Sequence, residues 1–286
     1  MNTKFRKWII FWTFLTPTLI TFFLVVIIPF LTGIYYSFSD WNAIPGKPIQ
    51  FIGFANYLNV FNDQQVMKSF LLTLTYSGYS ILLINIVGFS LALLVTQRLR
   101  TANLLRTIFF MPNLIGGLIL GYIWKFIFIK ILPDLMLSGE NMLSKPTTAL
   151  LAMAIVSTWQ MAGYIMVIYV AAIQSIPEEF LEASKIDGAN ALQRIRHIVF
   201  PLVAPAFTVS LFLTLSGSFK MYDVNASLTA GEPARQTELL AMEILSKAFK
   251  ELNFGEGQAQ AVLFFVFIAV ISILQVYSSK KREVEM

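Results

Sequence analysis

The sequence predicts an all-α, polytopic membrane protein, and three observations carry that prediction. Hydrophobic residues make up 57% of the 286 and charged residues only 13%, about half the charged share of a soluble domain. Six stretches are each long and apolar enough to cross a bilayer, for which a helix needs about 20 residues at ~1.5 Å rise. Basic residues stand in small groups beside those stretches, the pattern of membrane orientation and not of a nucleic-acid surface. With no cysteine and one histidine, disulfides, thiolate sites, cysteine nucleophiles and a histidine-based zinc cage are excluded.

The first stretch, Trp8–Tyr36, is too long for the apolar core of a signal peptide and no small-residue cleavage site follows it. It reads as a retained helix in which Pro17 and Pro29 are tolerated as kinks. The remaining spans are expected at Phe70–Thr96, Leu105–Phe128, Thr148–Ile173, Leu202–Phe219 and Ala259–Tyr277, all within one transmembrane domain covering residues 1–286. The fifth is the shortest and is flanked by Pro201 and Pro205.

Placing the N-terminus inside puts twelve basic residues in the cytoplasm: Lys4, Arg6, Lys7, Arg98, Arg100, Arg106, Lys185, Arg194, Arg196, Lys280, Lys281 and Arg282. Six acidic residues accompany them, so the inner side carries +6 and the outer side −1. The positive-inside rule then puts both termini in the cytoplasm. On the outer side, Asp40–Met67 is rich in aromatic, Gly, Pro and Asn residues and reads as an ordered surface loop. Glu238–Leu252 has apolar residues near helical spacing, with Glu243, Lys247 and Glu251 at successive i,i+4 steps on another face. It reads as a short helix lying in the outer interface.

Between the fourth and fifth spans, residues 175–201 encode two short helices with a break. Ser175 suits a cap, Pro177 the first turn, and Glu178 and Glu179 the positive end of the helix dipole. Asp187-Gly188 ends this helix, because glycine takes the left-handed conformation of a C-terminal cap. Asn190 with Gln193 reads as the N-terminal cap of the second helix, and Pro201 closes the unit. Pattern alone leaves open whether this is a solvated connector or a docking element for a cytoplasmic partner.

Glu182-Ala-Ser-Lys-Ile-Asp-Gly-Ala189, with Ile198 and Pro201, resembles the EAA loop of bacterial ABC-importer permeases, whose pattern is EAA, then DGA, then I-x-L-P. Ser184 stands for the third small residue and Phe200 for the usual Leu. The resemblance implies the type I importer fold and ATPase-coupling roles for Glu182, Ala183, Ser184, Asp187 and Gly188. Further segments are similar to carbohydrate importers of the maltose and multiple-sugar kind, in particular to the first of their two permeases. They are Phe51-Ile-Gly-Phe-Ala-Asn-Tyr57, Arg106–Pro112, Gln174-Ser-Ile-Pro177, Gly217-Ser-Phe219 and Leu228-Thr-Ala-Gly-Glu-Pro233. Glu232 departs from the glycine common there.

The resemblance also implies partners: a second related permease, two ATP-binding cassette subunits that hold ATP and Mg, and an extracellular sugar-binding protein. This chain has no phosphate-binding glycine loop of its own, so it is not expected to be an enzyme.

Polar and aromatic residues at membrane depth tend to face a cavity or a partner helix. On spans three to five these are Asn113, Gly117, Trp159, Gln160, Tyr164, Gly217 and Ser218, which suit a sugar's hydroxyls and ring faces; all but Trp159 align approximately at or beside the sugar contacts of the maltose-type permeases that the chain resembles. Each has a structural alternative: aromatic packing for Trp159 and Tyr164, a helix-packing hydrogen bond for Asn113, close helix contact for Gly117 and Gly217. Lys220 and Asp223 read as outer-rim charges paired with each other, and His197 as part of the loop surface. Other readings are a permease for glycerol phosphate or a polyamine, or a stand-alone secondary transporter or channel. A phosphate substrate calls for basic residues in the cavity, and apart from Arg106 at the cytoplasmic end, spans three to five offer only Lys125 and Lys220, both towards the outer side.

Overall fold

A computed structural model describes residues 3–281 apart from 43, 45, 98–99 and 137–140, and without the side chains of residues 3, 5, 6 and 136. Arg98 and Arg282, and the side chain of Arg6, therefore lie outside the described residues. The helices in chain order are α1 (Thr3–Phe22), α2 (Ile28–Ser37), α3 (Ala55–Asn62), α4 (Gln64–Val95), α5 (Ala102–Phe110), α6 (Gly117–Phe126) and α7 (Leu132–Met136). There follow α8 (Pro146–Gln174), α9 (Glu178–Ile186), α10 (Ala191–Arg194), α11 (Phe200–Leu202), α12 (Ala204–Phe219), α13 (Leu240–Leu245) and α14 (Phe254–Lys280). Among the described residues the only β-structure is two isolated bridges.

Four helices are long and apolar enough to span a membrane unaided: Lys7–Ser37, Gln64–Val95, Pro146–Gln174 and Phe254–Lys280. These match the first, second, fourth and sixth expected spans. The third and fifth differ. In place of one straight span at Leu105–Phe128 the chain has two helical pieces bent by 99°, and α12 is bent by 72° from the helix that precedes it. The count is thus four, or six if each bent pair is one span. The local chemistry explains both bends. Pro112 is the second residue of a 3-10 turn at Met111–Leu114, and Ile115 and Gly116 are extended (ψ 127° and 138°). Val203 ends the helix that runs through Pro201, and Pro205 sits in the first turn of α12, where its missing N–H costs nothing.

The chain divides into two compact units, Met1–Gln64 with Ile244–Val266, and Gln65–Glu243 with Phe267–Met286. In the first, the proline-bearing span stays continuous. A five-residue widened turn at Phe23–Ile27 precedes Pro29, and Thr21 and Thr32 donate to the carbonyls of Pro17 and Pro29 at 2.9 and 3.0 Å. The expected ordered loop is present and contains α3. Asn56 is buried and clamps the end of α2, donating to the Ser37 and Ser39 carbonyls at 2.9 and 2.8 Å. Gly255 lies so close to the Ser39 carbonyl that a Cβ there would stand 2.1 Å from it.

The stretch from Glu238 to Leu252 is helical over Leu240–Lys250, and of the three residues on its charged face Glu243 and Lys247 are buried while Glu251 is exposed. Lys247 is buried among Asp63 (3.1 Å), Glu251 (2.9 Å) and Glu256 (3.6 Å). Burial pulls the Lys247 ammonium down, yet its bonds to Glu251 and Asp63 outweigh this and hold it above the usual lysine range. Glu243 is buried in the second unit, where Arg235 pairs with it and with Glu238.

The second unit is built on α4 and α8. One apolar cluster joins Tyr76, Leu120, Met153 and Leu228, and another joins Ile84, Val95, Ile165 and Val203. One group of polar side chains at membrane depth is satisfied across helices. Tyr169 donates to Asn85 Oδ1 at 2.7 Å and meets Ser210 Oγ at 2.5 Å, while Asn85 donates to Thr214 at 3.0 Å. Three helices are thereby tied by side chains that could find no water in lipid.

Candidate functional sites: the capped turn and the broken span

The 175–203 segment forms two helices around one turn, with some capping roles moved. Ser175 does not cap α9; it ends α8, and its hydroxyl donates to the Ala172 carbonyl at 2.8 Å. Pro177 is the N-cap residue itself, with Glu178 and Glu179 in the first turn. The end of α9 is as the sequence predicts. Gly188 has φ +76°, its N–H reaches the Lys185 carbonyl at 3.1 Å, and Ala189 N–H reaches the Ser184 carbonyl at 2.9 Å. These two bonds satisfy carbonyls a helix end leaves open, in a turn that only glycine adopts without strain.

Asn190 and Gln193 then form a reciprocal capping box (2.9 and 2.8 Å), and Arg194 donates back to the Ala189 carbonyl at 3.0 Å. The helix does not close at Pro201 but continues to Leu202. His197 is on the surface of this helix, with Nδ1 3.0 Å from the Gln193 carbonyl.

The coupling candidates divide by exposure. Ser184 is buried and donates to the Leu181 carbonyl at 2.7 Å, which accounts for a small residue at that position. Leu181, with Ile176 and Val199, belongs to the apolar cluster of α4 and α8 and anchors the loop. Glu182, Ala183, Asp187 and Gly188 are exposed. So are two large apolar side chains flanking the turn, Ile186 (86% exposed) and Leu192 (73%). Residue type alone did not mark these two as outward-facing; the helical spacing of Leu181, Ser184 and Ile186 around α9 carries a weak signal of it.

Four of the seven pathway candidates, Asn113, Gly117, Trp159 and Gln160, lie at or beside the break in the third span. Gln160 donates to the Ile115 carbonyl at 2.8 Å, taking up a group that the bend releases from helical bonding, and Asn113 donates to Met161 Sδ at 3.3 Å. Trp159 is half-exposed and packs edge-on to Trp124 of α6, with ring centroids 5.7 Å apart. Gly117 opens α6 directly beneath Asp223, whose Cβ would be 2.7 Å from an added Cβ. Asp223 thus serves close packing, and no ion pair joins it to Lys220 among the described residues. Tyr164 is half-buried on α8. Gly217 faces open space and Ser218 is buried beside it; neither is hydrogen-bonded to this group among the described residues. Sequence reasoning did not single out Gly163 as a contact: a Cβ there would stand 1.8 Å from the Phe109 carbonyl, so α5 and α8 meet backbone to backbone.

Apolar spans, two of them broken, together with a capped helical turn define a polytopic membrane protein with a structured loop between its fourth and fifth spans. Residues 84–284 match the family described as binding-protein-dependent transport system inner membrane component, and the chain belongs to that family. It is similar to a probable starch degradation products transport system permease protein of Thermoanaerobacterium thermosulfurigenes, 50% identical over 99% of this chain and 98% of that one. It is also similar to a multiple sugar-binding transport system permease protein of Streptococcus mutans, 29% identical over 96% of each.

Among solved structures, it shares the fold of a bacterial alginate ABC transporter (TM-score 0.83, 22% identity, 96% of each chain). A complex of that transporter with its alginate pentasaccharide-bound periplasmic protein matches equally well, covering 96% of this chain and 95% of that one. The fold is therefore that of ABC-importer permeases, the chain is a membrane-resident permease component of a binding-protein-dependent system, and it is not itself an enzyme.

Proposed function

We propose that this chain is one permease of an ATP-driven sugar importer, forming half of the translocation pathway as a single domain. Its assembly contains a second related permease, two cytoplasmic ATPase subunits holding ATP and Mg, and an external sugar-binding protein. The observation that carries the coupling assignment is the Gly188 turn. Glu182, Asp187 and the large apolar Ile186 and Leu192 are exposed around a rigidly capped break. Apolar side chains so presented are expensive to leave in water and mark a surface that a protein partner covers. Glu182, Ala183, Ser184, Asp187 and Gly188 are the coupling residues on this reading, with Ser184 seating the helix and the others meeting the ATPase.

Both termini lie in the cytoplasm, as the basic residues require. The sugar reading rests on the relatives' cargo and on the aromatic and amide groups near the broken span. Trp159 and Tyr164 offer ring faces, and Asn113, Gln160 and Ser218 offer hydrogen bonds, with Gly117 and Gly217 leaving room. Phosphorylated solutes are disfavoured by the lack of basic residues in this set, and a stand-alone transporter does not need the capped turn. Starch-derived oligosaccharides are the first substrates to test.

Uptake of labelled oligosaccharides by the reconstituted complex tests the reading. Glu182→Lys and Gly188→Val should abolish ATP-driven uptake while leaving membrane insertion intact. Wild-type uptake by both variants would remove the coupling assignment, and uptake by this chain alone in vesicles would remove the importer reading.

A further inference from the structure

Among the described residues, the outer face of α3 is left uncovered. Phe54, Leu58 and Phe61 stand at i, i+4 and i+7 on one face and are 69%, 64% and 65% exposed. One helical stripe therefore presents three large apolar side chains outward. The opposite face is held. Asn56 and Val60 are buried, Asn56 bonds the two carbonyls at the end of α2, and the Tyr57 hydroxyl lies 2.7 Å from Ser37 Oγ. The apolar stripe cannot turn inward without breaking this clamp.

Depth identifies the occupant. Ser37 is the last residue of the first span, and Asn56 binds it directly. At the other end only Asp63 separates α3 from Gln64, the first residue of the second span. The helix is thus tied at both ends to places where the chain leaves the membrane. Phe38, immediately after the span, packs against the rings of Phe51 and Phe54 at 6.2 and 5.2 Å. Aromatic rings favour that level of a bilayer. Residues 48–62 carry no charged side chain, so the face offers no charge by which a soluble protein partner would be selected.

We infer that α3 is an interfacial helix whose Phe54–Leu58–Phe61 face lies in the headgroup and upper acyl region of the bilayer. It would hold the outer ends of two spans at fixed depth. The inference goes beyond the transport assignment and requires only that Lys7–Ser37 and Gln64–Val95 cross the membrane.

The absence of native cysteine allows a direct test. Single variants Leu58→Cys, Phe61→Cys and Asn59→Cys, in the full chain within its assembled complex, are labelled with an environment-sensitive fluorophore in phosphatidylcholine nanodiscs. Assembly is checked by size-exclusion chromatography. At 58 and 61 the label should lose most of its fluorescence to lipid carrying a nitroxide high on the acyl chain and little to aqueous iodide, with the order reversed at 59. Two results overturn the inference. One is quenching at 58 and 61 by iodide alone. The other is protection from both quenchers, whether constant or induced by a binding protein, which would place a protein on this face.

Discussion

The turn at Gly188 and the break at Ile115-Gly116 interrupt helices in opposite ways. At Gly188 the bonds that close the break are all short-range: Gly188 and Ala189 bond back to α9, and the Asn190–Gln193 box starts α10. At Ile115 the carbonyl is taken by Gln160, 45 residues away on α8. A surface break can rely on water and short-range caps, whereas a break at membrane depth must borrow a side chain from another helix, because lipid supplies no hydrogen bond. The first kind of break is written locally. The second is written in two places, and neither shows the connection.

Substitutions can strain that contrast, and the largest effect belongs to the depth of the bundle. Gly163→Ala forces a Cβ into the Phe109 carbonyl, backbone that cannot swing aside, and should cost about 3 kcal/mol or more. Loss of monodisperse protein on extraction is the expected result, and a wild-type thermal midpoint would show that α5 and α8 can part freely. Gln160→Leu keeps the volume but orphans the Ile115 carbonyl, with an expected loss of about 1–3 kcal/mol. If Gln160 acts only by positioning the break, the thermal midpoint falls while the relative preference among sugars is unchanged. Altered preference would make it a substrate contact.

On the loop side the effects should be smaller and confined. Gly188→Ala places a Cβ at φ +76° and should cost about 1–2 kcal/mol, read as faster amide exchange across residues 184–194. Asn190→Ala removes the capping box for about 1 kcal/mol, with exchange raised in 191–194 only and Asn190→Asp restoring protection. Gly217→Ala meets nothing within 4 Å, so the midpoint should hold or rise slightly, since alanine suits a helix better than glycine. A fall there would mean that a partner helix packs against Gly217 in the complex.

Several features were legible before any coordinates. Four spans and the two-helix loop follow from unbroken apolar runs, from Gly188 and from Asn190 with Gln193, all signals contained within one element. The candidate pathway residues were legible as polar or aromatic groups at depth, but their roles were not. Asn113 and Gln160 both turned toward the break, because Pro112 and Gly116-Gly117 bend a span that hydropathy averages into a straight one. Lys247 misled for the same reason. Its i,i+4 partner Glu251 was visible and stays exposed, but Asp63, 184 residues away, meets Lys247 where that lysine is buried.

By itself, then, the sequence determined the membrane location, the helical class and the capped loop, since each rests on hydrophobicity or on hydrogen bonds closing within a few residues. The tertiary structure alone decided where spans bend, which buried polar groups satisfy one another, and which apolar faces of α3 and the loop stay uncovered. Those outcomes depend on helices distant in sequence meeting, and a group without water is satisfied by whichever neighbour the packing brings within reach.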